Sequence, residues 1–282
     1  MKLVRYGAQG SERPALVDNE GVLRDLSSHV HDIGPETLSA QTLAKLAALD
    51  IQSLPVVPDE NVRLGPPVAR IGKIICIGLN YTDHAAEVNL PLPTEPTVFM
   101  KGCRPTGAYD PVTLPRGAEK GDWEVELGIV IGRGGLYIEA SEALAHIAGF
   151  CVVNDLSERS YQMERAGQWT KGKSFPGFAP VGPWLVTPDE IADVGALSIW
   201  LEVNGHRYQD GNTRNLVFNV AQVVSYLSRF YELEAGDLII TGTPAGVGLG
   251  HKPPVFLKPG DVVTAGIEGL GNQRQQINGW ED

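Results

Sequence analysis

The residues best suited to chemistry in this chain are three carboxylates at the ends of apolar strands. Asp122-Trp123-Glu124-Val125-Glu126-Leu127-Gly128-Ile129-Val130-Ile131-Gly132 reads from Val125 onward as a buried strand, with Glu124 and Glu126 at its start. Side chains alternate faces along a strand, so these two glutamates point the same way. Like charges side by side near a core are costly unless something positive stands between them. A third carboxylate, Asp155, ends the apolar run Phe150-Cys151-Val152-Val153-Asn154-Asp155. With no His or Cys beside them, three such ligands suit Mg2+ or Mn2+ better than zinc. Taken singly, the two glutamates also fit an acidic edge strand in solvent, against which the doubly apolar run Leu127–Ile131 argues. Asp155 alone fits a turn residue.

Three further segments carry reactive types. Asn80-Tyr81-Thr82-Asp83-His84-Ala85-Ala86-Glu87 follows a strand ending near Leu79. If Asn80 caps a short helix, His84 and Glu87 are three apart and share a face. A carboxylate bonded to one imidazole nitrogen fixes the tautomer and raises the basicity of the other, so this dyad could take a proton from water. The same spacing fits an ordinary surface pair. Gln168-Trp169-Thr170-Lys171-Gly172-Lys173-Ser174-Phe175, with Arg159 and Gln162 upstream, could hold a carboxylate and neutralise a developing enolate, or form a solvated basic loop. Thr241-Gly242-Thr243-Pro244-Ala245-Gly246-Val247-Gly248 offers a hydroxyl and backbone N–H groups to a carboxylate. It is not a dinucleotide fingerprint, because Pro253 and Pro254 follow where that motif needs a helix.

The elements that must position these groups are mostly short strands. Residues up to about 65 read as a small separate unit. Ala15-Leu16-Val17 and Val22-Leu23 flank a hairpin turn, and a helix near Ala40–Leu49 has Ser39 as its cap. The proline-dense stretch from Pro55 to Pro67 is the linker. Beyond it, Ile74–Ile77 is a buried strand, and Ser141 is expected to cap a helix through Ile147, closed by Gly149. Leu197–Val203 alternates as a strand into the hairpin turn Asn204-Gly205. Val217, Val220, Val223, Val224, Leu227 and Phe230 predict the longest helix. Ala235-Gly236-Asp237-Leu238 and Pro259-Gly260-Asp261-Val262 each launch a further strand. The expected class is α+β, mostly β, without an alternating βαβ sheet.

The chain has 282 residues, 43% of them hydrophobic, enough for a sizeable core. Its 34 acidic against 23 basic residues leave a net charge of −11, which argues against nucleic acid and anionic membranes as partners. An anionic substrate remains compatible, since a metal and a few local Arg and Lys set the field in one cleft. Cys76, Cys103 and Cys151 show neither zinc nor disulfide spacing, and Cys76 and Cys151 sit in apolar runs. With no signal peptide at Met1–Tyr6 and no stretch of about 20 apolar residues, a cytoplasmic protein is expected.

Together the motifs resemble the fumarylacetoacetate hydrolase family. The similar blocks are Gly78-Leu79-Asn80-Tyr81 with His84 and Glu87, Glu124-Val125-Glu126-Leu127, and Asn154-Asp155 with Arg159 and Gln162. Lys173-Ser174-Phe175 and Thr241-Gly242-Thr243-Pro244 with Gly246-Val247-Gly248 complete a set running from about residue 68 to 270. The resemblance implies a flattened, mostly β roll, usually a homodimer. It also implies a small N-terminal domain with linker at 1–66 and a catalytic domain at 67–282. It implies Glu124, Glu126 and Asp155 as ligands of Mg2+ or Mn2+, and His84 and Glu87 as a water-activating dyad on a mobile lid. Lys173, rather than Lys171, would contact the substrate, and Arg159, Gln162 and Thr243 its keto-acid end.

Within the family the chain is similar to bacterial 2,4-dioxo-3-deoxy-L-fuconate and L-rhamnonate hydrolases, through Ser157-Glu158-Arg159, Gln168–Lys173, Gly182–Thr187, Gln209–Arg214 and Gly266–Gly271. One departure concerns the substrate. Where those relatives tend to have a Thr-Phe-x-Pro run after the lysine, this chain has Phe175-Pro176-Gly177-Phe178-Ala179-Pro180, losing a hydroxyl near the pocket. The implied reaction is hydrolysis of a carbon–carbon bond in a 2,4-dioxo acid to pyruvate and a hydroxy acid such as lactate. The alternatives are acylpyruvate hydrolysis, oxaloacetate-type decarboxylation on the same metal, or a scaffold protein that kept only the fold.

Overall fold

The computed structural model describes residues 1–58, 61–87 and 91–281, so Asp59 and Glu60 of the proline-dense linker, and Asp282, lie outside the described residues. Three strands, β1 (Lys2–Tyr6), β2 (Arg13–Val17) and β3 (Leu23–Asp25), precede helix α1 (Ala40–Ala47). Then follow β4 (Ile74–Gly78), α2 (Thr82–Glu87), β5 (Thr97–Met100), β6 (Val125–Ile131), β7 (Ile147–Asn154), α3 (Arg159–Met163) and α4 (Thr170–Lys173). The chain closes with β8 (Leu185–Val186), β9 (Ser198–Val203), β10 (His206–Asn212), α5 (Val220–Leu227), β11 (Leu238–Ile240), β12 (Val262–Ile267) and β13 (Gly271–Asn278). With 18% helix and 31% strand, the class is α+β, mostly β.

One sheet runs in the order β3-β2-β1-β8-β7-β6-β11-β4-β5, and a second in the order β10-β9-β12-β13 followed by Val112–Thr113. The two faces of the first sheet bury different partners, which is why its central strands read as continuous apolar runs. Ile75, Ile77, Leu127, Ile129 and Ile131 join Ile199, Leu201, Val263 and Ile267 of the second sheet and Val223, Val224 and Leu227 of α5 in one core. Ile74, Cys76, Val130, Cys151, Val153 and Ile240 join Leu3, Leu16, Leu26 and Leu38 in another.

This topology brings the reactive segments to one end of the first sheet. β4 and β11 are parallel, with Ile240 opposite Cys76, so Leu79 and Thr241 leave the sheet together. β6 is antiparallel to β11 and starts at that end, and β7 finishes there with Asn154 opposite Val125. The carboxylates before and after β6 and β7 therefore converge although some 30 residues separate them.

Ser39 accepts the Thr42 N–H and caps α1 as the sequence predicts. The hairpin β2–β3 forms with Val17 opposite Leu23. Asn204 and Gly205 adopt φ of 53° and 78°, the left-handed pair that a two-residue turn between β9 and β10 requires.

Three expectations are corrected. The helix from Ser141 to Ile147 is only a 3-10 turn at Ala143–His146. Ile147 already pairs with Ile131, and Gly149 lies inside β7, where ladder bonds outweigh local helix preference. The longest-helix stripe is cut to Val220–Leu227, no longer than α1. Asn219 starts it with a capping box, and Val217 instead donates its N–H to the Asn80 carbonyl. Asn80 does not cap α2. Its side chain donates to the Phe218 and Thr241 carbonyls and accepts the Phe218 N–H, fastening the loop after β4 to β11.

The N-terminal strands extend the first sheet directly, because β1 pairs with β8, Leu3 opposite Leu185. Leu3 is fully buried in the core shared with β4, β6 and β7. Leu3→Ala should cost about 2–5 kcal/mol of stability, read as a lower urea midpoint at unchanged slope. A midpoint equal to wild type would mean that the N-terminal layer does not share its stability with the rest.

Candidate active site

Glu124, Glu126 and Asp155 each offer a carboxylate oxygen within 4.8 Å of the others, and all three are buried. The cations around them come from different elements. Lys173, at the end of α4, places Nζ 2.5 Å from Glu124 Oε2 and 2.8 Å from Asp155 Oδ2. Arg159, at the start of α3, donates from Nη2 to Glu124 (2.7 Å), from Nε to Asp122 (2.7 Å) and from Nη1 to Gln162 (2.9 Å). Lys101, just after β5, donates to the second Asp155 oxygen and to the Leu156 carbonyl at 3.1 Å.

The three acids are therefore electrostatically unequal. Burial alone would raise the Glu124 pKa, but Lys173 and Arg159 outweigh it and hold the group at about 2. Glu126 has the opposite balance. Burial first, then the charges of Asp155 and Glu124, push its pKa well above the carboxylate range. Among the described residues no ion pair engages it, and its side chain accepts the Gly242 N–H at 2.5 Å. Lys173 stays charged: burial works against it, but Asp155 and Glu124 raise its pKa.

This imbalance is the structural ground for a cation. Three converging oxygen donors, one of them lacking a positive partner, fit a hard divalent ion such as Mg2+ or Mn2+. Among the described residues no other cluster of this kind occurs.

His84 and Glu87 meet as their spacing predicts, Nδ1 lying 3.0 Å from Oε2. His84 is only 8% exposed, which removes the reading of a solvated surface pair. The other Glu87 oxygen accepts the Gly246 N–H at 2.9 Å. Gly246 presents that N–H with a φ of +106°, a conformation side chains rarely adopt. A Cβ at Gly250 would lie 2.5 Å from the Glu87 carboxyl carbon, so this loop closes around the carboxylate with bare backbone.

Of the site residues expected from the sequence, all except Asp155 line one cavity of about 590 Å3. Asp155 sits behind the wall with both oxygens taken by lysines. Thr243 is there, but its hydroxyl already donates to the Val125 carbonyl (2.8 Å) and accepts from Gln209 (2.7 Å). Lys171 turns away to the Arg165 carbonyl.

Sequence reasoning missed three supports. Lys101 had a signal of the same kind as Asp155, a lone charge ending the apolar run Val98-Phe99-Met100. Asp122 had none. It ties Arg159 to the N–H groups of Gly248 and Leu249. Gln209, in the middle of β10, is fully buried and joins Val125, Thr243 and Pro244.

A mostly β scaffold that buries a carboxylate triad beside a lysine and a His–Glu dyad defines a class of enzyme in which fold and site are built as one unit. The chain belongs to the fumarylacetoacetate (FAA) hydrolase C-terminal family, whose profile matches residues 73–278. A protein of Burkholderia multivorans, named only as a hydrolase, is 55% identical over 277 residues, 98% of each chain. The maleylpyruvate hydrolase of Sphingobium sp. SYK-6, solved with manganese(II) and pyruvate, is 26% identical. It superposes with a TM-score of 0.83 over all of both chains. The 2-hydroxyhepta-2,4-diene-1,7-dioate isomerase of Mycobacterium marinum is 30% identical, with a TM-score of 0.79 over all of both chains.

Proposed function

We propose that this protein hydrolyses the C3–C4 bond of a 2,4-dioxo acid, of the 2,4-dioxo-3-deoxy-L-fuconate or L-rhamnonate type, releasing pyruvate and a hydroxy acid such as lactate. The observation that carries the reading is the meeting of the His84–Glu87 pair with Glu124, Glu126 and Lys173 on one cavity. A related hydrolase solved with manganese(II) and pyruvate supports the product.

Glu124, Glu126 and Asp155 would hold Mg2+ or Mn2+, which supplies Lewis-acid polarisation of the keto acid when bound. Arg159 and Gln162 orient the carboxylate and 2-keto end, with Thr243 contributing its backbone N–H, since its hydroxyl proton is held by the Val125 carbonyl. Glu87, anchored by the Gly246 N–H, orients the His84 ring so that its free nitrogen takes a proton from water. The water oxygen adds to C4, the C3–C4 bond breaks, and its electron pair leaves as the pyruvate enolate. The Lys173 ammonium stabilises that negative charge, and a proton returned to C3 completes pyruvate. The enzyme acts in this reading as a cytoplasmic homodimer on a small anionic substrate, consistent with three free cysteines. Among the described residues no helix is long and apolar enough to cross a membrane.

The dyad gives the test against decarboxylation, which needs no water nucleophile. His84→Ala/Glu87→Ala should lose about 10²–10⁴-fold in pyruvate release from the dioxo acid, with Mn2+ affinity preserved by calorimetry. Undiminished turnover of oxaloacetate by wild type and double variant alike would favour the lyase instead.

A further inference from the structure

The loop that closes on Glu87 continues into two polar side chains to which the mechanism assigns no role. After Gly250, His251 and Lys252 both line the cavity. The His251 ring is set edge-on against Tyr208, centroids 5.2 Å apart at 90°, and Tyr208 leans on Trp123 at 4.8 Å. The imidazole thus has a fixed orientation, and no hydrogen bond engages its nitrogens among the described residues: Nε2 is sealed from solvent, which leaves Nδ1 as the accessible one. Lys252 is exposed at the rim and makes no ion pair or hydrogen bond among the described residues.

The other cations and carboxylates of the cavity differ. Arg159, Lys173, Glu124 and Glu87 are each held by protein partners. An accessible ring nitrogen and an ammonium on a cavity wall, neither with a protein partner, have hydrogen-bonding capacity left for a ligand oxygen. Position gives the part of the substrate concerned. Gly250 abuts the carboxylate of the dyad, which in the proposed reaction serves C4, and the two residues that follow it in sequence line the same cavity.

We infer that His251 and Lys252 form a subsite that reads an oxygen substituent on the acyl tail of the substrate. The inference rests on the hydrolase reading for the direction in which the substrate lies. Both groups donate hydrogen bonds to oxygen, and Lys252 adds a positive charge, so hydroxyl and carboxylate tails are favoured over alkyl tails of the same length. A site built to bond an oxygen discriminates against the analogue lacking it, because its own polar group is then left unpaired.

The experiment compares kcat/KM for 2,4-dioxohexanoate, its 5-hydroxy derivative and 2,4-dioxoheptanedioate with Mn2+. Wild type should prefer the oxygenated compounds by about tenfold or more, the worth of one hydrogen bond. His251→Leu should bring the ratio for the hydroxylated compound toward one, while His251→Gln, which keeps a hydrogen-bonding group, should retain most of it. Lys252→Met should act mainly on the dicarboxylate. A wild-type ratio near one, or ratios untouched in both His251→Leu and Lys252→Met, would overturn the subsite and leave the hydrolase reading standing. If wild type cleaves none of the three, the hydrolase reading fails. The Kd ratios of the same compounds, by calorimetry with Mn2+, then decide the subsite: preference for oxygen lost in His251→Leu upholds it, and equal or undetectable binding overturns it.

Discussion

Glu126→Gln is expected to abolish metal-dependent turnover while making the metal-free protein more stable. Glu126 is the carboxylate for which the fold provides no countercharge: burial, Asp155 and Glu124 all oppose its ionised form. In the folded metal-free chain it lies within 4.8 Å of two other carboxylates, so above its ordinary pKa it must either carry a like charge beside them or hold a proton that the unfolded chain releases, and either costs stability. An amide of the same shape keeps the Gly242 N–H as a donor to its oxygen and removes the repulsion, so the melting temperature without metal should rise by several degrees. The same change deletes a cation ligand. Loss of even an outer partner of a metal ligand costs about 10–100-fold in affinity, so Mn2+ binding should weaken by at least about 100-fold. Turnover should fall by about 10²–10⁴-fold, the several kcal/mol a Lewis acid contributes. Stability unchanged or lowered, with Mn2+ affinity intact by calorimetry, would show that Glu126 is satisfied by something other than a cation.

Lys173→Met should act in the opposite direction on stability and in the same direction on rate. Its ammonium, 1% exposed, is shared by Glu124 and Asp155. Removing one member of a buried ionic network leaves the others uncompensated and typically costs about 3–5 kcal/mol. Lys101 still grips Asp155 and Arg159 still grips Glu124, which places the loss toward the lower end of that range. Added Mn2+ should restore much of the stability. It should not restore the rate, because a charge aimed at the developing enolate is worth about 10²–10³-fold in kcat. KM should change less than kcat. Near-normal kcat in a folded, Mn2+-loaded Lys173→Met protein would remove the lysine from the chemistry and leave it a structural role.

The carboxylate triad was legible because strand periodicity fixes which side chains share a face, and Val125–Ile131 is apolar enough to announce a doubly buried strand. The His84–Glu87 pair was legible for the analogous helical reason. What local pattern could not supply was the third dimension. Asn80 has the look of a helix cap, yet its amide is consumed by Phe218 and Thr241, more than a hundred residues away. Ser141–Ile147 has a helix signature but its end pairs with Ile131, a competition that only tertiary contacts settle. Lys101, Asp122 and Gln209 escaped notice because each acts through a partner distant in sequence: Asp155, Arg159 and Thr243. A lone polar residue in or beside a strand carries no periodic signal of that kind.

Metal-dependent release of pyruvate from a 2,4-dioxo acid is measured by following pyruvate from 2,4-dioxo-3-deoxy-L-fuconate with and without chelator. Pyruvate and lactate should appear in equal amounts, both should be lost on EDTA treatment, and both should return with Mn2+ or Mg2+. Pyruvate release that survives complete chelation, or no pyruvate from any 2,4-dioxo acid in the presence of either metal, would contradict it.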